Sequence, residues 1–438
     1  MATSYLHQML EPNLAAIQEH ITGDPDFKAS ANGVRCTFAI ACSEEGHDCV
    51  IVGISDGIVG IDFGPHHAGT FALSARTEDW KQFFSPRLVR PYQSYWGMLR
   101  VLGHIDAIGV LGDQRAFAQN ARLWRIVLDR MRDGVNGKQV KQALDEPPAE
   151  ELETEDAVTG KYLWIDTNEY GKVKIFYEFA GSGPATILFL HTAGSDSRQS
   201  HSLMNNKQMG QRATMYAFDL PAHGRSSLGS KQSPQGYSLT ESAYLDSIAK
   251  VISGLHLSNV IVCGASMAGH VCLAAAIQAD DLGITGSIPC EGCEHLDFAQ
   301  PIYETEGLDS SLLNPERVCG MCAPTSPDYY KRQIWWQYSS QGYGIFPGDL
   351  KFYFKGWDGR GRVEKIDTRR CPVYMLTGEF DYSCTTEASK ATADKIPGAK
   401  FEAMPGLGHF PLTENPKAVL PYVLRALDFI EEQHKADA

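Results

Sequence analysis

The chain has 438 residues, more than one ordinary hydrophobic core supports, so two to three domains are expected. Its 43% hydrophobic and 21% charged residues match a globular chain and exclude a disordered, collagen-like or fibrous protein. With 39 basic against 53 acidic residues, net −14, no stretch offers the basic face of a nucleic-acid binder, and no apolar run approaches the roughly 20 residues of a membrane span.

Met1 to Leu10 carries His and Glu and has no basic segment followed by an apolar one, so no export signal and a cytoplasmic location are expected. In that compartment the eleven cysteines are expected to remain thiols. Residues 5–22 place Leu6, Leu10, Leu14, Ile17 and Ile21 near helical spacing. Strands are predicted at Val34–Ala41, Asp48–Ser55, Gly57–Phe63 and Thr70–Ala75, with a tight turn at Asp56-Gly57. A helix follows over Thr77–Phe84, and helical patterns occupy 91–103 and 114–132. No nucleophile here sits beside a histidine or carboxylate partner. The order of these parts, "FALSARTEDWKQFF" and "GVLGDQRAFAQNARLW" above all, resembles the sterol-carrier-protein-2-like fold over about 30–132. That resemblance implies a lipid-holding or docking module, and a separate docking-like module raises the expectation of a homodimer. Packing alone is the plainer reading and is preferred.

Asp145 to Asp156 holds seven carboxylates and two prolines with almost nothing apolar to bury, the composition of a solvated linker. The expected division is an α+β domain over 1–135, an acidic linker over 136–158 and a catalytic domain over 159–438. Beyond the linker, strands alternate with helices. Lys161–Asp166 and Lys172–Phe179 form a hairpin, followed by strands at Ala185–Leu190, Ala213–Asp219, Ser258–Gly264, Ile284–Pro289, Cys371–Gly378 and Lys400–Pro405. Helices lie near 239–254, 267–279, 385–396 and 415–433. Continuous apolar strands alternating with helices predict an α/β fold with a mostly parallel eight-stranded sheet covered on both faces.

Within that rhythm, the strand ending at Cys263 runs into Gly264-Ala265-Ser266-Met267-Ala268-Gly269 and then a small-residue helix. A serine hydroxyl becomes a nucleophile only where a base can reach it, and a sharp strand-to-helix turn provides that access. Asp381 follows a strand 115 residues later, and His409 follows another strand 28 residues beyond it. Both sit past the carboxyl end of a strand, where open α/β sheets place their sites. His409 would take the serine proton, and Asp381 would orient the imidazole. The Met267 amide would serve as one oxyanion donor. The loop His191-Thr192-Ala193-Gly194 after Leu190, together with "FDLPAHGRS" at Phe218–Ser226, resembles the α/β-hydrolase superfamily over about 160–435. This resemblance implies that the loop supplies a second donor. With Thr192 where the family usually has glycine, Ala193 is the expected one.

The rhythm breaks over about 290–366, where superfamily members insert a cap. Residues 329–357 contain eleven aromatics, against 10% chain-wide. Thr192, Trp335, Trp336 and Tyr338 are therefore expected substrate-binding residues, and the expected substrate is a hydrophobic or aromatic small molecule. Glu291, directly after a strand, is either a substrate contact, a rival triad acid or, preferably, a structurally paired group. Cys290-x-x-Cys293 and Cys319-x-x-Cys322 resemble a zinc-ribbon framework, but their 25-residue spacer is long and carries Tyr303, Leu308, Leu312 and Leu313 in a helical pattern. Thiols without metal are the expectation, and no cofactor is required. Three functions stay in play: hydrolysis of an ester, lactone or amide through an acyl-enzyme; carbon–carbon cleavage of a 1,3-dicarbonyl by the same triad; and lipid binding or scaffolding by an inactive hydrolase body. Intact Ser, Asp and His count against the third; the first two need the same residues, and the first is the leading reading.

Overall fold

The computed structural model describes residues 3–45, 47–104, 107–149, 155–233, 235–296 and 313–436. Tyr303, Leu308 and Leu312, and the linker carboxylates Glu150, Glu151 and Glu153, lie outside the described residues. The chain separates into two compact units, Met1–Glu146 with Ala299–Pro324, and Pro147–Phe298 with Thr325–Ala438. Described residues 313–324, inside the stretch expected to be a cap, fall in the N-terminal unit. They put Leu313 into that unit's core. Glu316 there accepts from Arg122 at 3.2 Å and pairs with Arg125.

The N-terminal unit is built on a five-stranded sheet of β1 (Arg35–Cys42), β2 (Cys49–Ser55), β3 (Ile58–Gly64), β4 (Phe71–Ala75) and β5 (Gly109–Gly112), in the order β3-β2-β1-β4-β5. Only β1 and β4 pair in parallel. The fifth strand was not predicted, because four residues with two glycines leave too little alternation to read. The predicted helix over 5–22 is interrupted by a 3-10 turn at Glu11–Asn13, where Pro12 has no amide to donate. Four alternating strands thus became five, around an aromatic interior. Phe117 and Trp124 stack at 5.2 Å, Trp80 and Tyr95 at 5.5 Å, and Trp96 lies 4.7 Å from Trp124.

All eight strands predicted for the second unit are present. They are β6 (Thr159–Thr167), β7 (Gly171–Ala180), β8 (Ala185–Leu190), β9 (Ala213–Phe218), β10 (Val260–Ala265), β11 (Ile284–Cys290), β12 (Tyr374–Gly378) and β13 (Lys400–Met404), in the order β13-β12-β11-β10-β8-β9-β7-β6. From β9 to β13 every neighbour is parallel, and the β6–β7 hairpin closes one edge antiparallel. Central strands β8 and β10 are buried almost throughout, since helices cover both faces. Order reverses between β8 and β10, so the loops leaving these two strands open onto one crevice. Among the described residues no helix is long and apolar enough to cross a membrane.

Candidate active site

Ser266 stands at the turn between β10 and the helix Met267–Ile277, with φ 62° and ψ −121°. A non-glycine residue is strained there, and the strain persists only because its surroundings enforce it. The Ser266 amide is tied to Cys290 O at 3.0 Å. Crowding explains the small neighbours. A Cβ on Gly269 would meet Cys290 O at 2.1 Å, and one on Gly264 would meet the Ala268 Cβ at 2.5 Å. Ala268, the departure from the usual second glycine, is thus accommodated by Gly264.

The three expected residues meet. Ser266 Oγ lies 2.8 Å from His409 Nε2, and His409 Nδ1 lies 2.8 Å from Asp381 Oδ2. The second Asp381 oxygen accepts the amides of Ser383 at 2.7 Å and Cys384 at 3.2 Å. A carboxylate held on both oxygens fixes Nδ1 as the donor, leaving Nε2 to accept the serine proton. All three side chains are nearly or wholly buried.

The loop after β8 is held from several sides. The Thr192 amide donates to Gln199 Oε1 at 2.8 Å, and the Gly194 amide to Asp349 Oδ2 at 2.7 Å. Both neighbours of the Ala193 amide are therefore engaged. His191 sets the peptide between them. Its Nε2 accepts the Leu220 amide at 3.1 Å, so its Nδ1–H donates to Thr192 O at 2.9 Å. Because a trans peptide points its C=O and N–H in opposite directions, that bond aims the Ala193 N–H the other way. Burial, then the nearby His223, holds the His191 imidazole down to about 4 and keeps it neutral. The Met267 amide opens its helix and has no preceding turn to bond to.

Asp349 anchors this loop from the cap. It accepts Tyr237 Oη at 2.8 Å and faces His223 Nε2 at 2.8 Å. His223 Nδ1 lies 3.0 Å from Pro221 O, so both ring nitrogens point at oxygens. Burial opposes the charge on His223, but the Asp349 carboxylate outweighs it and raises the imidazole above its ordinary value. No local motif marks Asp349 or Gln199, and sequence reasoning missed both.

The other expected contacts divide. Tyr338 Oη meets Thr192 Oγ1 at 2.6 Å, and its ring lies 5.7 Å from both Phe346 and Phe410. Phe410 packs edge-on against His409 at 5.0 Å, and Tyr353 lies 6.5 Å from it. Phe346 presses so closely on Gly194, at φ 62°, that any Cβ there would overlap its ring. Trp336 is 53% exposed and covers the Arg198 guanidinium at 4.4 Å. Trp335, beside it on the same helix, is partly buried. Arg198 is bound to Asp196 at 2.6 Å, and His201 to Glu178 at 2.7 Å.

Glu291 takes neither the substrate-contact nor the rival-acid place. It is fully buried at φ 51°, its carboxyl oxygens receive the Gly378 amide at 2.9 and 3.2 Å, and it hydrogen-bonds Asp381. Burial, then the Asp381 charge, pushes its pKa well above the usual carboxyl range. The two CxxC pairs fall on different units, Cys290 and Cys293 following β11, Cys319 and Cys322 at the end of the helix Asn314–Cys319 in the N-terminal unit. All eleven cysteines are free thiols.

The family model described as the alpha/beta hydrolase family matches residues 187–421. The chain belongs to the α/β-hydrolase family. An uncharacterized protein of Mycobacterium tuberculosis is 25% identical over 296 residues, which cover 58% of this chain and 78% of that protein. Among solved α/β-hydrolase structures, a thermophilic esterase from Thermogutta terrifontis is 20% identical with a TM-score of 0.50, covering 62% of this chain and 99% of its own. An enol-lactonase from Burkholderia xenovorans LB400 is 17% identical with a TM-score of 0.51, covering 61% of this chain and 100% of its own. At these identities the structural likeness is one of fold.

Proposed function

We propose that this α/β-hydrolase family member is a serine hydrolase that cleaves an ester, lactone or amide bond of a hydrophobic or aromatic small molecule through an acyl-enzyme. The observation that carries the reading is the unbroken hydrogen-bond chain from Ser266 Oγ through His409 to Asp381, placed on a strained strand-to-helix turn. Ser266 Oγ attacks the substrate carbonyl while its proton passes to His409 Nε2, and Asp381 stabilises the imidazolium. The Ala193 and Met267 amides receive the negative charge that develops on the carbonyl oxygen; loss of one such donor costs about 10²–10³ in kcat. Collapse expels the leaving group with the proton from His409. Water, deprotonated by the same imidazole, then hydrolyses the acyl-serine.

The aromatic lining supports the substrate class. Tyr338, Phe346, Tyr353 and Phe410 surround the His409 and Thr192 side of the site, where an apolar acyl or aryl group gains most by leaving water. Esterase and lactonase neighbours agree with this chemistry. The N-terminal unit is assigned packing or docking, because stacked aromatics occupy its interior.

The test is intact-mass analysis after exposure to a fluorophosphonate probe, with a panel of aryl esters, lactones and β-diketones assayed in parallel. A single adduct on Ser266, absent from His409→Ala, with turnover of the esters or lactones is expected. No adduct on folded protein removes the acyl-enzyme reading, and turnover of β-diketones alone replaces it with carbon–carbon cleavage.

A further inference from the structure

Three buried side chains that take no part in the proposed hydrolysis converge beside its acid. His270 lies one helical turn after Ser266, Cys293 three residues after the end of β11, and Cys384 in the turn that carries Asp381. Their ligating atoms all lie within 4.8 Å of one another, with 3.8 Å from Cys293 Sγ to His270 Nε2. None of the three is more than 1% exposed.

His270 is poorly satisfied where it stands. Its Nδ1 has no hydrogen-bond partner among the described residues, and Nε2 meets only sulfur. A buried imidazole with no oxygen or nitrogen partner has lost its hydration without replacement, which is uncommon enough to need a reason. The ring cannot turn away to find one. It stacks on Tyr353 at 4.7 Å and on Trp357 at 6.1 Å, while Trp357 Nε1 donates to Cys293 O at 2.7 Å and holds that residue too.

We propose that His270, Cys293 and Cys384 form a binding site for one soft, closed-shell metal ion, Zn2+ or Cu+. An ion within a triangle of this size lies roughly 2–3 Å from each corner, against about 2.3 Å for Zn–S and 2.0–2.1 Å for Zn–N. Two thiolates and an imidazole select Zn2+ or Cu+ over the hard cations, which take oxygen ligands. Binding releases the two thiol protons to solvent, so two thiolates balance Zn2+ and leave one negative charge with Cu+; no electron moves. Three ligands suit Cu+ as they stand. For Zn2+ the His295 carbonyl oxygen, 3.1 Å from Cys293 Sγ, is the nearest further oxygen donor in the cluster. The ion would tie together the helix after Ser266, the segment after β11 and the Asp381 turn. It is a different set from the paired CxxC motifs, sharing only Cys293 with them.

The test uses full-length protein from cells grown with added zinc and copper and purified under reducing conditions without chelator. Elemental analysis is expected to give one zinc or one copper per chain and so to name the ion. After chelation, titration with Co2+ is expected to produce the intense near-ultraviolet thiolate-to-cobalt band. Cys293→Ser and Cys384→Ser should lose both signals, while Cys319→Ser, outside the cluster, should keep them. The proposal is overturned if the wild type neither retains metal nor gives the cobalt band while reduced, or if the two serine variants bind as the wild type does. Should the serine variants fail to fold, the wild-type results decide alone. Fluorophosphonate labelling reads Ser266 separately, so either proposal can fail without the other.

Discussion

The two units bury polar groups in different ways. In the N-terminal unit they are consumed in caps and ion pairs, one of them between segments 191 and 194 residues apart. Asp24 caps the helix Pro25–Ala31 through the Phe27 amide, Asp79 binds Arg76 and Tyr92, and Glu316 binds Arg122 and Arg125. In the second unit, buried Ser266, His409, Asp381, Glu291, His191, His223 and Asp349 come from separate segments and form chains whose free ends face one crevice. A buried polar group costs free energy unless it is bonded, so a set that is bonded yet still presents a hydroxyl and open amides is what the proposed active site rests on.

The comparison breaks first at Ser266. Ser266→Ala is expected to lower turnover of any substrate about ten-thousandfold or more while leaving the melting temperature near wild type, since alanine keeps the Cβ and the backbone of the turn and removes only the hydroxyl. Retained turnover would remove the distinction between the units. Trp124→Ala sharpens it from the other side. Removing that stacked ring should cost about 3–5 kcal/mol in urea unfolding of the N-terminal unit, with activity per folded molecule unchanged. Asp349→Ala should do both kinds of damage. It strands His223, Tyr237 and the Gly194 amide at a cost of about 3–5 kcal/mol, and lowers kcat by freeing the loop just after Ala193.

A smaller effect concerns pH. His191 is held at about 4 in the folded protein and binds protons near 6.5 when unfolded. The unfolded state therefore takes up the proton first, and stability falls as pH drops from about 6.5 to about 4, by on the order of 3 kcal/mol. His191→Asn keeps a donor near the Nδ1 position and should flatten that acid limb in melting curves. Smallest of all, Trp336→Ala, at the exposed Arg198 stack, should change stability by less than about 1 kcal/mol and KM by little. A large rise in KM would return Trp336 to the substrate site.

Several of these features were legible in the chain. The elbow at Ser266 reads from small residues after an apolar strand, and Asp381 and His409 from their places just past later strands. The short β5 and the break at Pro12 were not, the first because two glycines erase alternation, the second because the apolar spacing runs on through the proline. Helical spacing alone does not say which of two adjacent tryptophans, Trp335 and Trp336, is the more exposed. Spacing along the chain does not show that Cys319 and Cys322 fall in a different unit from Cys290 and Cys293.

The positions of the strands along the chain, the tight turn at Ser266 and the places of Asp381 and His409 just past later strands could be read from the chain, because each depends on a few residues close together and on the regular rhythm of a parallel sheet. Tertiary structure alone decided what those residues meet. Asp349 reaches Gly194 across 155 residues, Glu291 reaches the Gly378 amide across 87, and Cys384 joins Cys293 and His270 across a similar span. Such meetings follow from packing distant segments around a common sheet edge, where a buried polar group must find its partner in space whatever its distance along the chain.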